Sequence, residues 1–313
     1  MKLTTILAII PIVCSIPAAH AVEGALGRPI SGATVNPYAG VVPPDPGLVL
    51  GISELYYTGD ISGSATVPIG ANLTLGLDVD ISFTPVTLTY IWDTHNPCWN
   101  FASVLELPIT WIEAEADVSV GPLTGKRKED EFGLFDIAFA PIVASHHISQ
   151  TEHVSFGLVV WAPTGKYDKD DLANLGLNKW TFIPSVAYTK IFAEPNIEIS
   201  ASLGVHFSTE NPDTDYQDGI MTDFEFTVIK RLQNGFGFGI VGSWINQITE
   251  DDGGAADALN GFEGEAFGVG PILTYATKIN EHPLQFNARW IHEFENENRL
   301  EGDLFALAAT FSF

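Results

Sequence analysis

Residues 197–208, with the sequence IEISASLGVHFS, decide the fold class. The odd-numbered residues from Ile197 to Phe207 are all apolar, whereas glutamate, serine, glycine and histidine occupy the even positions. Successive side chains of a strand point to opposite faces of the sheet, so this segment has one apolar and one polar face. The same alternation recurs in 223–228, 284–290 and 305–313, and no helical period is found. The sequence therefore predicts an all-β protein.

Twelve strands are predicted, and the lengths of their connections alternate. Short connections lie at 94–98, 147–151, 193–195, 233–235 and 279–283, and longer polar ones at 59–78, 119–130, 165–178, 209–217 and 249–260. The last hairpin, near 298–301, is a short exception on the long-loop side. The predicted strands are 48–58, 79–93, 99–118, 131–146, 152–164, 179–192, 196–208, 218–231, 236–248, 261–278, 284–297 and 302–313.

An even number of strands with alternating short and long connections is typical of a bacterial outer-membrane barrel. We therefore expect a transmembrane up-and-down antiparallel β-barrel with short periplasmic turns and long extracellular loops. A closed barrel also leaves no unpaired strand edge in lipid. The alternative, a soluble sandwich or barrel, gives no reason for connections that alternate so regularly.

Three regions follow one another along the chain. Residues 1–21 combine Lys2, a short apolar stretch and Ala19-His20-Ala21, which predicts a signal peptide cleaved after Ala21 and export to the outer membrane. Residues 22–47 are rich in glycine and proline and are expected to form a periplasmic lead-in or a plug inside the barrel. Residues 48–313 form the barrel, and the terminal aromatic Phe313 resembles the signal read by the barrel-assembly machinery.

Charge and cysteine content exclude several classes of protein. A net charge of −25 argues against nucleic-acid binding, which needs a basic surface. Two cysteines cannot form a disulfide framework, and loss of Cys14 with the signal peptide would leave Cys98 without an internal partner, its role open.

Tryptophans near strand ends predict aromatic girdles at both lipid–water boundaries. Trp92 and Trp99 flank a short turn and are expected at the periplasmic boundary, and Trp161, Trp180 and Trp244 at the opposite one.

If the apolar face meets lipid, the polar face lines the lumen. The expected lining residues are Asp136, Glu198, His206, Glu225, Gln285, Asn287 and Arg289. A barrel of twelve strands is wider than one that side chains alone can fill, so a narrow passage is expected. The carboxylates favour cations or neutral polar solutes, and Arg289 could pair with one of them at a constriction or as internal filling.

Two clusters suggest metal binding. His146, His147 and His153 surround one short turn, where neighbouring strands could bring imidazoles together, although adjacent residues point to opposite faces and a polar turn is an alternative interpretation. Asp213, Asp215 and Asp218 are spaced so that they could hold Ca²⁺ or Mg²⁺ in an extracellular loop. Such cations could also bridge the acidic loops to lipopolysaccharide phosphates; no other cofactor is implied.

Motifs of the common enzyme classes are missing, so no catalytic residue is assigned. The sequence contains no Gly-x-Ser-x-Gly elbow, no His-Glu-x-x-His pair and no phosphate-binding glycine loop. Ser145 and His146 are adjacent on a predicted strand, so their side chains cannot meet on one face.

Several stretches resemble a known family of outer-membrane proteins, the one associated with the meta-pathway of phenol degradation. They are Glu23-Gly24-Ala25-Leu26-Gly27-Arg28-Pro29, Tyr38-Ala39-Gly40, Pro46-Gly47 leading into 48–59, and Phe83-Thr84-Pro85-Val86. The resemblance implies a barrel that helps hydrophobic or aromatic compounds cross the outer membrane, and it supplies no catalytic motif. We therefore expect a channel for passive uptake of small hydrophobic or aromatic solutes; the alternative is a sealed structural or adhesion barrel with acidic loops.

Overall fold

The protein is an antiparallel β-barrel in the computed structural model, which describes residues 28–69, 72–120, 123–253, 256 and 261–313. The predicted signal peptide and residues 22–27 lie outside this range. Among the described residues, no helix is long enough and apolar enough to cross a membrane.

The described part of the chain contains thirteen strand segments. They are β1 (Gly47–Ile69), β2 (Asn72–Ile91), β3 (Trp99–Val120), β4 (Leu123–Leu134), β5 (Ile137–Ser149), β6 (Glu152–Ala162), β7 (Thr181–Phe192), β8 (Ile197–Ser208), β9 (Met221–Arg231), β10 (Phe236–Gln247), β11 (Glu265–Ile279), β12 (His282–Glu297) and β13 (Glu301–Ser312).

These segments form twelve wall strands, because β4 and β5 share one place in the ring. β4 pairs with the extracellular half of β3, from Ile109 to Val120, and β5 pairs with its periplasmic half, from Trp99 to Glu106. The interruption between them falls at Phe135 and Asp136. Every other strand pairs with its neighbours in sequence, and β1 pairs with β13 from Val49↔Ser312 to Asp60↔Glu301, which closes the ring. The prediction of a closed twelve-stranded barrel is confirmed.

The apolar face of the wall points outward. On β13, Phe305 and Leu307 are 50% and 63% exposed, whereas Leu304 and Ala306 are 1% and 3% exposed. Large apolar side chains on the other strands are exposed in the same way, among them Leu50, Phe238 and Leu273. Burying apolar surface stabilises a protein by about 25 cal/mol per Å². An apolar belt on the outside of a folded barrel therefore indicates that lipid surrounds it.

Two predicted long loops are wrong. Residues 59–78 and 119–130 are mostly strand, because β1 and β2 continue to Ile69 and Asn72, and β3 and β4 to Val120 and Leu123. The physical reason is the loss of alternation beyond the lipid. On β4, Lys126, Arg127 and Lys128 follow one another with all three side chains exposed, so neither face of this strand is apolar. Beyond the lipid the outer face meets water and need not be apolar. A search for alternating apolar residues therefore does not identify these residues as strand.

Candidate functional site

The barrel lumen is occupied by a segment of the chain itself. Residues 28–46, here called the lumen segment, form no strand and are mostly buried. The side chains that form hydrogen bonds with it belong to β3, to every strand from β5 to β9, and to β12. Because these strands surround the axis, the segment lies inside the ring. It rises from Pro46, next to β1 at the periplasmic end, to Arg28, which contacts Thr181 at the extracellular end of β7.

The middle of the lumen segment is held by Glu225 of β9. One carboxylate oxygen accepts a hydrogen bond from the backbone N–H of Gly32 (2.7 Å), and the other accepts from the N–H of Thr34 (3.1 Å) and its hydroxyl (2.6 Å). The N–H of Val35 donates to the same oxygen. Glu225 is fully buried, so these donors replace water around its charge.

The periplasmic part of the segment is held by Glu198 of β8. The N–H of Tyr38 donates to Glu198, which also forms an ion pair with Arg231 of β9. The Arg231 guanidinium lies 4.2 Å from the centre of the Tyr38 ring. A few residues on, a Cβ added to Gly40 would lie 2.8 Å from the carbonyl oxygen of His153. Only glycine lets the segment pass this close to the wall.

The extracellular end of the segment is held by Asp136, at the interruption between β4 and β5. Arg28 donates to Asp136 (3.1 Å) and to the backbone carbonyl of Lys179 (3.0 Å). Asp136 also accepts from the N–H groups of residues 164, 165 and 177 in the β6–β7 loop. One buried carboxylate therefore joins the lumen segment to an extracellular loop.

The other predicted lining residues also face the lumen. Arg289 donates to the carbonyl of Ala33 in the lumen segment (2.9 Å) and to the Asn287 side chain (3.1 Å). Among the residues that the structure describes, it forms no ion pair, although Glu225 is a charged neighbour. His206 is 2.5 Å from Asp223. Gln285 and Asn287 line a polar cavity together with Asn36, Pro37 and Arg231.

The lumen changes character along its axis. In the extracellular half, inward side chains of β2 and β3 are apolar and almost fully buried: Leu77, Val79, Ile81, Phe83, Ile112, Ala114 and Ala116. Phe135, Trp161 and residues 172, 175 and 177 of the β6–β7 loop belong to the same core cluster. The periplasmic half is mixed: Glu198, Arg231, Thr189 and Thr227 lie there beside apolar residues such as Val104, Val143 and Ile229.

One of the five predicted girdle tryptophans is misplaced. Trp92, Trp180 and Trp244 are 36–41% exposed on the outer face, and Trp99 is partly exposed on the same face. Trp161 is 0% exposed, lies inside the barrel with its ring 5.1 Å from the Arg28 guanidinium, and stacks edge-on against Phe135. Its position on β6 gives the reason.

On β6, Trp161 shares the odd-numbered face of His153 and Ser155, which points inward. Sequence reasoning also missed two outward tryptophans, Trp111 and Trp290. Trp290 of β12 stacks on Phe305 of β13, and Phe305 lies opposite Tyr56 of the adjacent strand β1. Together with Trp111, these rings form an extracellular girdle.

The three aspartates proposed for a cation are not brought together. Asp218 forms a buried ion pair with Lys179 (2.6 Å), whereas Asp213 accepts from the Asn178 amide (2.9 Å) and Asp215 has a positive φ of 54°. Within the described part of the chain, no group of three or more histidine, cysteine, aspartate or glutamate side chains is arranged to hold a metal ion.

Three extracellular loops meet instead around Lys179. Its ammonium group lies 5.7 Å from the Tyr216 ring and bonds to Asp218, and Asp251 accepts from Tyr216, from Gln247 (2.6 Å) and from the N–H of residue 219 (2.7 Å). Burial and the neighbouring charge of Asp218 raise the pKa of Asp251 to about 6. This cluster ties the loops together above the lumen.

The histidines divide between the two faces of the wall. His146 points outward, with its ring 4.7 Å from that of Trp99, whereas His147 and His153 point inward and touch each other. Ser145 also points inward and donates to the carbonyl of Gly40 (2.8 Å). Ser145 and His146 therefore lie on opposite faces, as the strand pattern predicts.

Comparison with protein families decides the relationship. The model of the family described as "Putative MetA-pathway of phenol degradation" matches residues 58–309. The chain belongs to this family. A search of curated proteins found no match.

Several solved structures are similar to this phenol-degradation family member. An outer membrane channel from Pseudomonas putida F1 superposes with a TM-score of 0.70 at 14% identity, over 89% of this chain and 100% of that one. The β domain of the Bordetella autotransporter BrkA gives a TM-score of 0.49 at 13% identity, over 86% and 100%. The CymD monoaromatic hydrocarbon channel gives 0.45 at 9%, over 95% and 98%. The first likeness shows the shared fold, and with the lipid-facing belt it places this family member in the bacterial outer membrane.

Proposed function

We propose that the barrel is an outer-membrane channel for the passive uptake of small hydrophobic or aromatic solutes. The observation that carries this proposal is the way in which the lumen is filled. Wall side chains alone do not fill it; a separate stretch of chain, held by Glu225, Glu198 and Asp136, occupies the axis. In the proposed open state, the lumen segment moves aside and leaves a passage between the two ends.

The contacts of the lumen segment suit a gate more than a permanent core. Its backbone is not paired into the sheet, and the contacts described above come from side chains at separate heights of the wall. Each such hydrogen bond contributes about 0.5–3 kcal/mol, so groups of them can be released without breaking the strand ladders of the ring.

The apolar extracellular half of the lumen supports the choice of solute. An apolar solute as large as a phenylalanine side chain gains about 2–3 kcal/mol on leaving water for apolar surface. Leu77, Ile81 and Ile112 are almost fully buried in this structure, and in the proposed open state they supply that surface at the extracellular end. The periplasmic half carries more polar side chains, such as Glu198 and Arg231, so it stabilises an apolar solute less and favours release.

A second candidate is a sealed structural or adhesion barrel. It is favoured by the tight burial of the lumen segment, in which Ser31, Val35 and Val42 are all 0% exposed. The acidic loops would then be the functional surface. Both candidates are transport or structural roles; neither requires catalysis.

Membrane partners follow from the same outer surface. We infer that acyl chains cover the apolar belt and that lipopolysaccharide surrounds the charged strand ends above it. Phe313 is 61% exposed at the periplasmic end and is a candidate contact for the barrel-assembly machinery.

Solute flux separates the two candidates. Proteoliposomes with the purified barrel should take up a neutral monoaromatic compound faster than empty liposomes do, and faster than a sugar of similar size. Cells without the gene should grow more slowly on aromatic substrates present at low concentration. Equal uptake by protein-containing and empty liposomes would favour the sealed barrel.

A further inference from the structure

Two histidines form a close pair at the periplasmic end of the lumen. His147 of β5 and His153 of β6 face each other directly across the strand pair. Their Nδ1 atoms are 2.7 Å apart, and the rings meet at 81° with centres 4.9 Å apart. Only a short turn separates them, so the pair lies close to the periplasmic mouth.

The surrounding contacts fix the protons of the pair. The Asn100 amide nitrogen donates to the carbonyl of Val42 in the lumen segment (3.0 Å) and lies 2.7 Å from Nε2 of His147. The roles at this contact depend on the tautomer of His147: with the amide as donor, Nε2 accepts and the proton of neutral His147 is on Nδ1. That proton points at the lone pair of His153 Nδ1. In the metal-free pair, two ring nitrogens thus share a single proton.

The same geometry suits a metal ion in place of that proton. Imidazole nitrogens bind first-row metals at about 2.0–2.1 Å. Two such nitrogens at a 90° angle are then about 2.9 Å apart, whereas a tetrahedral angle requires about 3.3–3.4 Å. The observed 2.7 Å is close to the 90° value, and both rings must turn so that each lone pair points about 45° away from the line that joins the two nitrogens.

We propose that His147 and His153 form a bis-imidazole site for a divalent transition-metal ion, Cu²⁺ before Ni²⁺, at the periplasmic mouth. The 90° angle belongs to tetragonal coordination, which these two ions prefer, and copper binds nitrogen ligands most strongly in the divalent series. Water completes the coordination, because the neighbouring carboxylate of Glu152 is already bonded to Lys190 and Tyr188. His146 cannot contribute, because it points outward.

Metal binding has a consequence for the lumen segment. A His147 that binds metal through Nδ1 carries its proton on Nε2, where it faces the N–H of Asn100. Two donors cannot face each other, so either the Asn100 amide turns its oxygen toward the ring or the Nε2 proton is donated to the carbonyl of Val42, which also bonds to His147. Metal binding therefore rearranges the contacts that Asn100 and His147 make with the lumen segment.

The test is Cu²⁺ binding to the full-length barrel, purified in detergent without a polyhistidine tag. One Cu²⁺ per barrel is expected by calorimetry, with an electron paramagnetic resonance spectrum that shows two coordinated nitrogens. His147→Asn and His153→Asn should each weaken binding at least tenfold, and the matched control His146→Asn should leave it unchanged. Zn²⁺ should bind more weakly than Cu²⁺.

A measurement on the wild-type protein covers variants that fail to fold. Bound Cu²⁺ should protect His147 and His153, but not His282, from diethyl pyrocarbonate, as read by mass spectrometry. Unchanged affinity in both variants, or equal labelling with and without Cu²⁺, would overturn the proposal. Binding is measured without solute flux, so this outcome is independent of the channel proposal.

Discussion

Replacing Glu225 with glutamine tests how the lumen segment is held. The carboxylate accepts bonds from Gly32, Thr34 and Val35. Glutamine offers one acceptor oxygen, and its NH₂ group then opposes at least one of these N–H donors. An unsatisfied buried donor costs about 1–3 kcal/mol, and each remaining bond to a neutral acceptor is weaker by about 1 kcal/mol.

Part of this loss is offset, because glutamine needs no desolvation of a charge. We expect docking of the lumen segment to weaken by about 2–4 kcal/mol, which is about 30- to 700-fold in the population of the undocked state. Hydrogen exchange at residues 32–35 should accelerate accordingly, and single-channel recordings should show more frequent openings.

Asp223→Asn is the matched control. It removes another buried carboxylate from the inward face of β9, one that bonds to His206 and not to the lumen segment. It should leave exchange at residues 32–35 near the wild-type rate. If Glu225→Gln leaves exchange and openings unchanged, or if both variants behave alike, the anchoring role assigned to Glu225 is refuted.

Three further predictions concern side chains elsewhere in the molecule. Trp161→Ala should destabilise the barrel by about 3–5 kcal/mol in urea titrations, because it leaves a cavity in the packed interior. Trp244→Ala on the lipid face should destabilise it less. Equal losses of stability would contradict the inward position of Trp161. The fold raises the pKa of Asp251 from near 4 to about 6, so it favours the protonated form of this side chain. The stability that Asp251 gives to the closed loops is therefore full below pH 4 and is lost as the pH rises through 6. Exchange at residue 219 should accelerate over that range; Asp251→Asn should flatten the profile and Asp252→Asn should not. Deleting Phe313 should lower the amount of assembled, heat-modifiable barrel in outer membranes, and normal assembly would exclude Phe313 as the recognition residue.

Within the lipid-spanning part, the sequence was sufficient for the fold. Alternation there has one physical cause, lipid outside and polar groups inside, so the strand with Glu198 and His206 could be assigned with its faces correct. Beyond the lipid that cause disappears. The exposed charged residues Lys126, Arg127 and Lys128 of β4 then follow one another without alternation, so this strand was taken for a loop.

The lumen segment shows a different limit. Its glycines and prolines indicate irregular backbone, but its contacts with Glu225 and Arg289 span about 190 and 256 positions in sequence, and no local pattern encodes them. Trp161 could have been placed correctly, because it has the same parity as Ser155 on its strand. Trp111 likewise marks the point where outward residues change from apolar to acidic, which would have located the lipid boundary.

The most direct test of the central claim is single-channel conductance of the barrel without residues 28–46, recorded beside the wild type in planar bilayers. Heat-modifiability on gels would first establish that the deletion variant forms a barrel. We expect small or rare openings for the wild type and large, steady conductance steps for the deletion variant. A folded deletion variant that conducts no more than the wild type would contradict a lumen closed by this segment.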